Sequence, residues 1–230
     1  MFYYMDSTWL LILPGLLLSM LASTWVRGTY EKYAKVRASR GITAADMARE
    51  MLRYGGAADV QVERVPGQLT DNYDPRSRVL RLSDGVYDST SIAALGIAAH
   101  ETGHALQHQH AYAPLALRSF LVPAVQVTSQ AAMPLFIAGL IFSWPPLLTV
   151  GIVCFAVAVF FSLVTLPVEF NASARALAAL EGGGYLTREE NGLAAKVLRA
   201  ASMTYVASAL MALGQLVRLL LLSEGRRNRR

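Results

Sequence analysis

The residues most able to do chemistry stand together in one short segment, His100-Glu101-Thr102-Gly103-His104, the H-E-x-x-H pattern. Four residues advance an α-helix by about 400°, so two imidazoles at this spacing leave the same face one turn apart. Their nitrogens then reach a single tetrahedral zinc ion at about 2.0–2.1 Å. Glu101 follows the first imidazole, and from there its carboxylate reaches the fourth, water-filled position rather than the metal. Zinc lowers the pKa of such a water toward about 7, and the carboxylate then takes the proton and passes it to a leaving amine. With four histidines and nine glutamates in 230 residues, random order gives the pattern on the order of once in several hundred such chains. Chance is therefore a poor rival. A solvated polar face is a poor one too, because the preceding Ala94-Leu95-Gly96-Ile97-Ala98-Ala99 demands burial, and buried charge and imidazole want partners or a metal.

A catalytic zinc site takes a third protein ligand. His110 lies six residues after His104, but the turn that this spacing requires needs a glycine where the chain has Gln107. His108 continues the same helix face, and three consecutive turns of a straight helix cannot wrap one ion. Glu169 is the favoured candidate: it directly follows Pro167-Val168 at the end of a long uncharged run, and an isolated carboxylate at such an edge asks for a cationic partner. Its competing use is as a solvated acid at a helix start. His108 and His110 are expected to be surface groups or supports for the ligands.

The elements that position these residues can be read around them. Ser91 or Thr90 caps a helix that runs to about Gln109. Glu31–Tyr54 reads as helical, with Thr43 an N-cap inside it and Gly55-Gly56 closing it. Val60–Val65 and Arg78–Leu82 alternate apolar and polar residues, and Pro66-Gly67 and Asp74-Pro75 punctuate the gap, so both read as strands of a small sheet. A short helix is expected from Glu169 to Leu177.

The rest of the chain reads as membrane segments. It is 54% hydrophobic and only 16% charged, with mean hydropathy +0.36, against roughly 25% charged residues in soluble domains. This excludes a disordered chain, and the single cysteine, Cys154, excludes a disulfide scaffold. Ser119 to Val168 holds no Asp, Glu, Lys or Arg. Crossing a bilayer takes about 20 helical residues, so this run supplies two spans, Ser119–Phe142 and Leu147–Leu166, hinged at Ser143-Trp144-Pro145-Pro146. Thr8–Val26 is a retained anchor rather than a cleaved leader, because no basic residue precedes it. Ala200–Leu222 is a fourth span or an interfacial helix, followed by the basic tail 226–230. Basic residues at 27, 32, 35, 37 and 40 place 27–118 in the cytoplasm and the amino terminus outside. A net charge of +5 is then a membrane-surface feature, with no nucleic acid as partner. The expected organisation is an anchor (1–26), a cytoplasmic zincin-like part (27–118), a transmembrane hairpin (119–168), cytoplasmic helices with the third ligand (169–199) and the last helix with its tail (200–230). In fold class this is a mainly α membrane protein: three or four transmembrane helices with a small cytoplasmic α+β catalytic part.

His-Glu-x-Gly-His on one helix with a Glu on a later helix resembles the gluzincin metallopeptidases. The chain as a whole resembles the YugP-like family of bacterial membrane zinc metallopeptidases. The resemblance is carried by the anchor, Asp71-Asn72-Tyr73-Asp74-Pro75, Arg81-Leu82-Ser83, Ser91-Ile92-Ala93-Ala94 leading into the zinc helix, and Pro167-Val168-Glu169-Phe170. It implies His100, His104 and Glu169 as ligands of one zinc ion per chain and Glu101 as general base. Many gluzincins carry an Asp four residues after the ligand Glu to orient a zinc histidine. Here that position is Ser173, with Asn171 and Arg175 as alternative supports. Zincins also pair extended substrate with an edge strand above the site. Val79, Leu80, Arg81 and Leu82 are the expected strand here, unless they are ordinary sheet. Arg175, Tyr73 and Tyr185 are all able to donate to the transition-state oxyanion. The expected function is hydrolysis of peptide bonds in membrane or membrane-proximal proteins, in the bacterial cytoplasmic membrane, with the site facing the cytoplasm. A membrane adaptor with a structural or vestigial zinc site is the alternative, and Glu101 argues against it because a structural site needs no base. A regulatory membrane partner or a second copy of the chain stays open.

Overall fold

The computed structural model describes residues 7–227; the end of the basic tail, 228–230, lies outside the described residues. The chain divides into two compact units.

Among the described residues the first unit takes in 7–22, 117–166 and 204–227 and is made mainly of the apolar parts of four helices: α1 (Leu13–Tyr33), α5 (Ala113–Ile141), α6 (Pro145–Gly182) and α7 (Arg188–Arg227). Among the described residues, four helices are long and apolar enough to cross a membrane. Within this unit small residues let backbones meet. A Cβ on Gly151 would lie 2.8 Å from Phe136 N and 2.9 Å from Ala132 O, and one on Gly15 would lie 2.6 Å from Met211 Cα. The hairpin between α5 and α6 turns through Ser143 at φ +52°, closed by Trp144 N–H donating to Gly139 O at 3.0 Å.

The second unit comprises 23–116 and 167–203. Helix α2 (Ala44–Tyr54) starts at Thr43, whose hydroxyl accepts the Asp46 N–H, and buries Met47, Ala48, Met51 and Leu52. Strands β1 (Gln61–Val65), β2 (Asn72–Asp74) and β3 (Val79–Ser83) form one sheet in the order β1-β3-β2. β1 runs parallel to β3 with Gln61 opposite Val79, and β2 runs antiparallel with Tyr73 opposite Leu80. After the single turn α3 (Asp84–Tyr87), helix α4 (Ile92–Gln109) begins at Ser91, whose hydroxyl accepts the Ala94 N–H. Leu52, Leu80, Leu82, Leu95, Ala98, Leu180 and Leu198 share one core, which pins α4 between the sheet, α2 and the ends of α6 and α7 inside this unit.

Three expectations are corrected. Glu31–Tyr54 is not one helix: α1 stops at Tyr33 and α2 begins at Ala44. The segment between bridges to the start of α4, with Ala38 N–H donating to Thr90 O and Ile92 N–H to Val36 O, each at 2.9 Å. Glu169 is not on a separate short helix, because α6 continues through Pro167 to Gly182. A proline removes one i→i−4 hydrogen bond, and here the helix persists on both sides of that gap. Finally, Val79–Leu82 is not an edge strand. β3 lies at the centre of the sheet with β1 and β2 on its two sides, so it is paired along both sides, and β1 and β2 are the edge strands, with β2 the one that contacts Glu101.

Candidate metal centre

Helix α4 carries His100, Glu101 and His104, and α6 carries Glu169. Two features bring these helices to near-backbone contact. A Cβ on Gly103 would lie 2.7 Å from Ala172 O and 3.3 Å from Ala172 C and Cα, so only glycine permits the approach. The fully buried Gln107 side chain then spans the junction, its amide N–H group donating to Val168 O at 2.8 Å and Asn171 Oδ1 at 3.0 Å.

The approach brings three donor groups together. His100 Nε2 lies 3.2 Å and His104 Nε2 3.5 Å from one oxygen, Glu169 Oε2. The imidazoles meet edge to face with centroids 4.8 Å apart. Glu169 is 2% exposed and His104 9%, and one ligand atom from each of the three residues lies within 4.8 Å of the others. Both imidazoles turn Nε2 inward, because each Nδ1 is engaged elsewhere: His100 Nδ1 with Ser173 Oγ at 3.1 Å, His104 Nδ1 with Gln107 Oε1 at 3.0 Å. Two imidazole nitrogens and a carboxylate, with supported remote nitrogens, are the donor set that catalytic zinc takes. The residues present fit the ion.

Electrostatics follow from burial. Burial pushes the Glu101 carboxyl above the usual carboxylate range, and Glu169 and Asp71 add to this while the two imidazoles pull against it. Burial also opposes charge on Glu169, three residues past the expected span, yet hydrogen bonds with His100 and His104 hold it well below the usual range. For His104 burial alone lowers the pKa, but the Glu169 hydrogen bond and the Glu101 and Glu169 charges raise it overall.

The other expected site residues divide. Tyr73, on β2, donates its backbone N–H to Glu101 Oε2 at 3.1 Å, and its hydroxyl lies 2.8 Å from His108 Nδ1. Ser173 supports His100. Arg175 donates Nε–H to Asn171 Oδ1 at 2.8 Å and lies 3.2 Å from His110 Nδ1. Tyr185 is buried beneath the Arg40 guanidinium, 4.6 Å from its ring centre, and Glu50 hydrogen-bonds its hydroxyl, which together with burial lifts its pKa to about 12. Of these residues, Ser173 touches the His100–His104–Glu169 group directly, through His100 Nδ1; the contacts of Tyr73, Arg175 and Tyr185 are with other residues.

A family model described as "Putative neutral zinc metallopeptidase" matches residues 8–224. A curated relative, "Putative membrane protease YugP" of Bacillus subtilis (strain 168), is 48% identical over 213 residues, 92% of this chain and 94% of the relative. The chain belongs to the YugP-like zinc metallopeptidase family. No solved structure matches it. The family segments that carried the resemblance now have local explanations. In Asp71–Pro75, the Asp71 carboxylate accepts from Ser83 N–H at 2.7 Å and Ser83 Oγ–H at 3.0 Å, tying the start of β2 to the end of β3. Tyr73 secures Glu101, and Asp74 accepts from Arg76 N–H and Ser77 Oγ–H in the turn that follows. Sequence reasoning missed the contacts made by Gln107 and Asp71 and the place of β2 as an outer strand. The signal for Gln107 was available: it sits three residues after His104, on the buried side of an apolar helix.

Proposed function

We propose that this chain is a membrane-embedded zinc metalloendopeptidase acting on membrane or membrane-proximal proteins. The observation that carries the proposal is the convergence of His100, His104 and Glu169 beside a carboxylate, Glu101, that is no part of the donor set but is held in place by a backbone N–H. A structural site has no use for such a group. His100 Nε2, His104 Nε2 and the Glu169 carboxylate would hold one zinc ion. When bound, the ion supplies Lewis-acid polarisation of a peptide carbonyl and acidifies a water. Glu101 does the proton work. With Oε2 accepting the Tyr73 N–H, its other oxygen accepts the proton that an attacking water loses, and the carboxyl then returns it to the leaving amide nitrogen. Of the three expected donors, Tyr73 is the one whose backbone touches Glu101, and we assign its hydroxyl, paired with His108, to the developing oxyanion. Extended substrate would pair along β2, the outer strand next to Glu101.

Membrane placement rests on composition and connectivity. The four apolar helices expose large side chains such as Leu17, Met20, Leu21, Phe120, Val127, Ile141, Val153 and Val217, as lipid-facing surfaces do. Basic residues after the first span put the catalytic residues on the cytoplasmic side, and Glu169 follows Leu166, the end of the third span, by three residues. Labelling single cysteines near Gly225 from each side of the membrane decides the path of the last helix. The functional test is proteolysis of membrane-protein substrates in vesicles by wild type and Glu101→Gln. The expected result is loss of cleavage with zinc content retained. Equal cleavage by both overturns the proposal.

A further inference from the structure

Resting on the zinc-peptidase reading, we infer that Gln107 is a positioning residue: one buried amide that fixes the ligand-competent form of His104 and at the same time locks the backbone next to Glu169.

The orientation of that amide is not arbitrary. A backbone carbonyl only accepts, so Val168 O, 2.8 Å away, requires the NH2 end of Gln107. The same answer comes independently from the far side. An Arg side chain only donates, so Arg175 Nε–H at 2.8 Å makes Asn171 Oδ1 an acceptor. That oxygen then accepts the second Gln107 N–H at 3.0 Å. With both amide hydrogens spent on α6, the carbonyl oxygen of Gln107 is the atom facing His104 Nδ1 at 3.0 Å. A carbonyl oxygen accepts only, so Nδ1 carries the hydrogen. Nε2, the nitrogen that points at Glu169, is then the one that would give up its proton and offer a lone pair to a metal ion.

The side chain needs one acceptor toward α4 and two donors toward α6, a combination that Glu, Leu and Met lack, and Asn is one methylene short. It is completely buried, where water cannot replace any of the three bonds. Its two ends act on different ligands: the oxygen on His104, and the NH2 on Val168, the residue before Glu169. His100 has no equivalent, being supported by a single hydroxyl, that of Ser173.

The test is zinc affinity of the full-length protein in detergent, by competition with a chromophoric chelator, for wild type, Gln107→Met and Asn171→Ala. Unfolding of each chelator-treated protein is followed alongside. Gln107→Met keeps length and volume but makes none of the three hydrogen bonds, and its zinc Kd is expected to rise about 10–100-fold. Asn171→Ala leaves the Val168 and His104 bonds in place, so its Kd is expected to rise only a few-fold. It also serves as the variant if Gln107→Met does not fold. A merely structural role would lower the unfolding temperature of the metal-free protein while leaving zinc Kd within about threefold of wild type. That result in Gln107→Met, or an Asn171→Ala protein whose Kd does not rise at all, overturns the inference and leaves the peptidase reading standing. If wild type itself binds no zinc, both fall together.

Discussion

Gly103→Ala adds one methyl group, and the structure says where it must go. The new Cβ would stand 2.7 Å from Ala172 O, whereas ordinary contact begins near 3.4 Å, and every atom it meets is backbone. No rotamer change relieves such a clash, so the facing turn of α6 has to retreat by about 0.7 Å, because packed interiors hold no slack to absorb it. Glu169 lies three residues before Ala172, on the same face of that helix, and zinc–ligand distances tolerate only about ±0.2 Å. Zinc affinity is expected to fall about 100-fold or more, the upper end of what disturbing the ligands' supports costs, and proteolysis with it. Stability moves less: overpacking costs about 1–3 kcal/mol, while Gly→Ala within a helix returns about 1 kcal/mol. Gly96→Ala is the control on the same helix. Its Cβ would meet Ala194 Cβ at 3.5 Å, an ordinary contact, so it should bind zinc as wild type does and unfold at the same or a higher temperature. The assay is chelator competition for zinc together with thermal unfolding of all three proteins. A Gly103→Ala protein that binds zinc within about threefold of wild type refutes the claim that close backbone approach builds the site.

Three further outcomes are expected. Tyr73→Phe removes only the hydroxyl beside His108 and keeps the backbone N–H to Glu101, so kcat/KM should fall about 100-fold with zinc content unchanged; a change under threefold removes Tyr73 from the chemistry. For Glu190, burial raises the carboxyl pKa, but donors from Thr187 and Ser39 outweigh it and hold the value below the ordinary 4.5. Its stabilisation is therefore present above about pH 4.5 and is lost as pH falls through the lower, folded value. Glu190→Gln should unfold more easily than wild type at pH 7, with the gap closing below about pH 4, and a pH-independent gap contradicts this. Ala111 holds φ +49° after the last turn of α4, a conformation glycine adopts without strain. Ala111→Gly should therefore raise stability by up to about 1 kcal/mol, or about 2–4 °C in a chain of this size, as read by thermal unfolding.

What the sequence disclosed was whatever depends on spacing along one element. His100 and His104 share a helix face by arithmetic, and Ser91 and Thr43 announce helix starts by their chemistry. The charge-free run 119–168 declares its length and its hinge. Glu169 was readable only because it interrupts that run. What stayed hidden depends on how separate segments meet. β2 has three residues, too few for any alternation to register, yet it takes the sheet edge that Val79–Leu82 was expected to hold. The glycine of H-E-T-G-H is visible in the sequence, but its purpose appears only once the Ala172 carbonyl lies against it. Gln107 looked like an obstacle to a ligand turn and proved to be the amide between the two ligand-bearing helices. The short helix expected from Glu169 to Leu177 is the continuation of α6 through Pro167, since one missing hydrogen bond in a long helix costs less than ending it.

The central claim is that His100, His104 and Glu169 jointly hold a single zinc ion. Anomalous diffraction measured on both sides of the zinc absorption edge, from crystals of protein purified without added metal, tests it most directly. One peak per chain is predicted, within bonding distance of both Nε2 atoms and the Glu169 carboxylate. A peak elsewhere, or density that joins the two histidines to a metal while Glu169 points away, would contradict it.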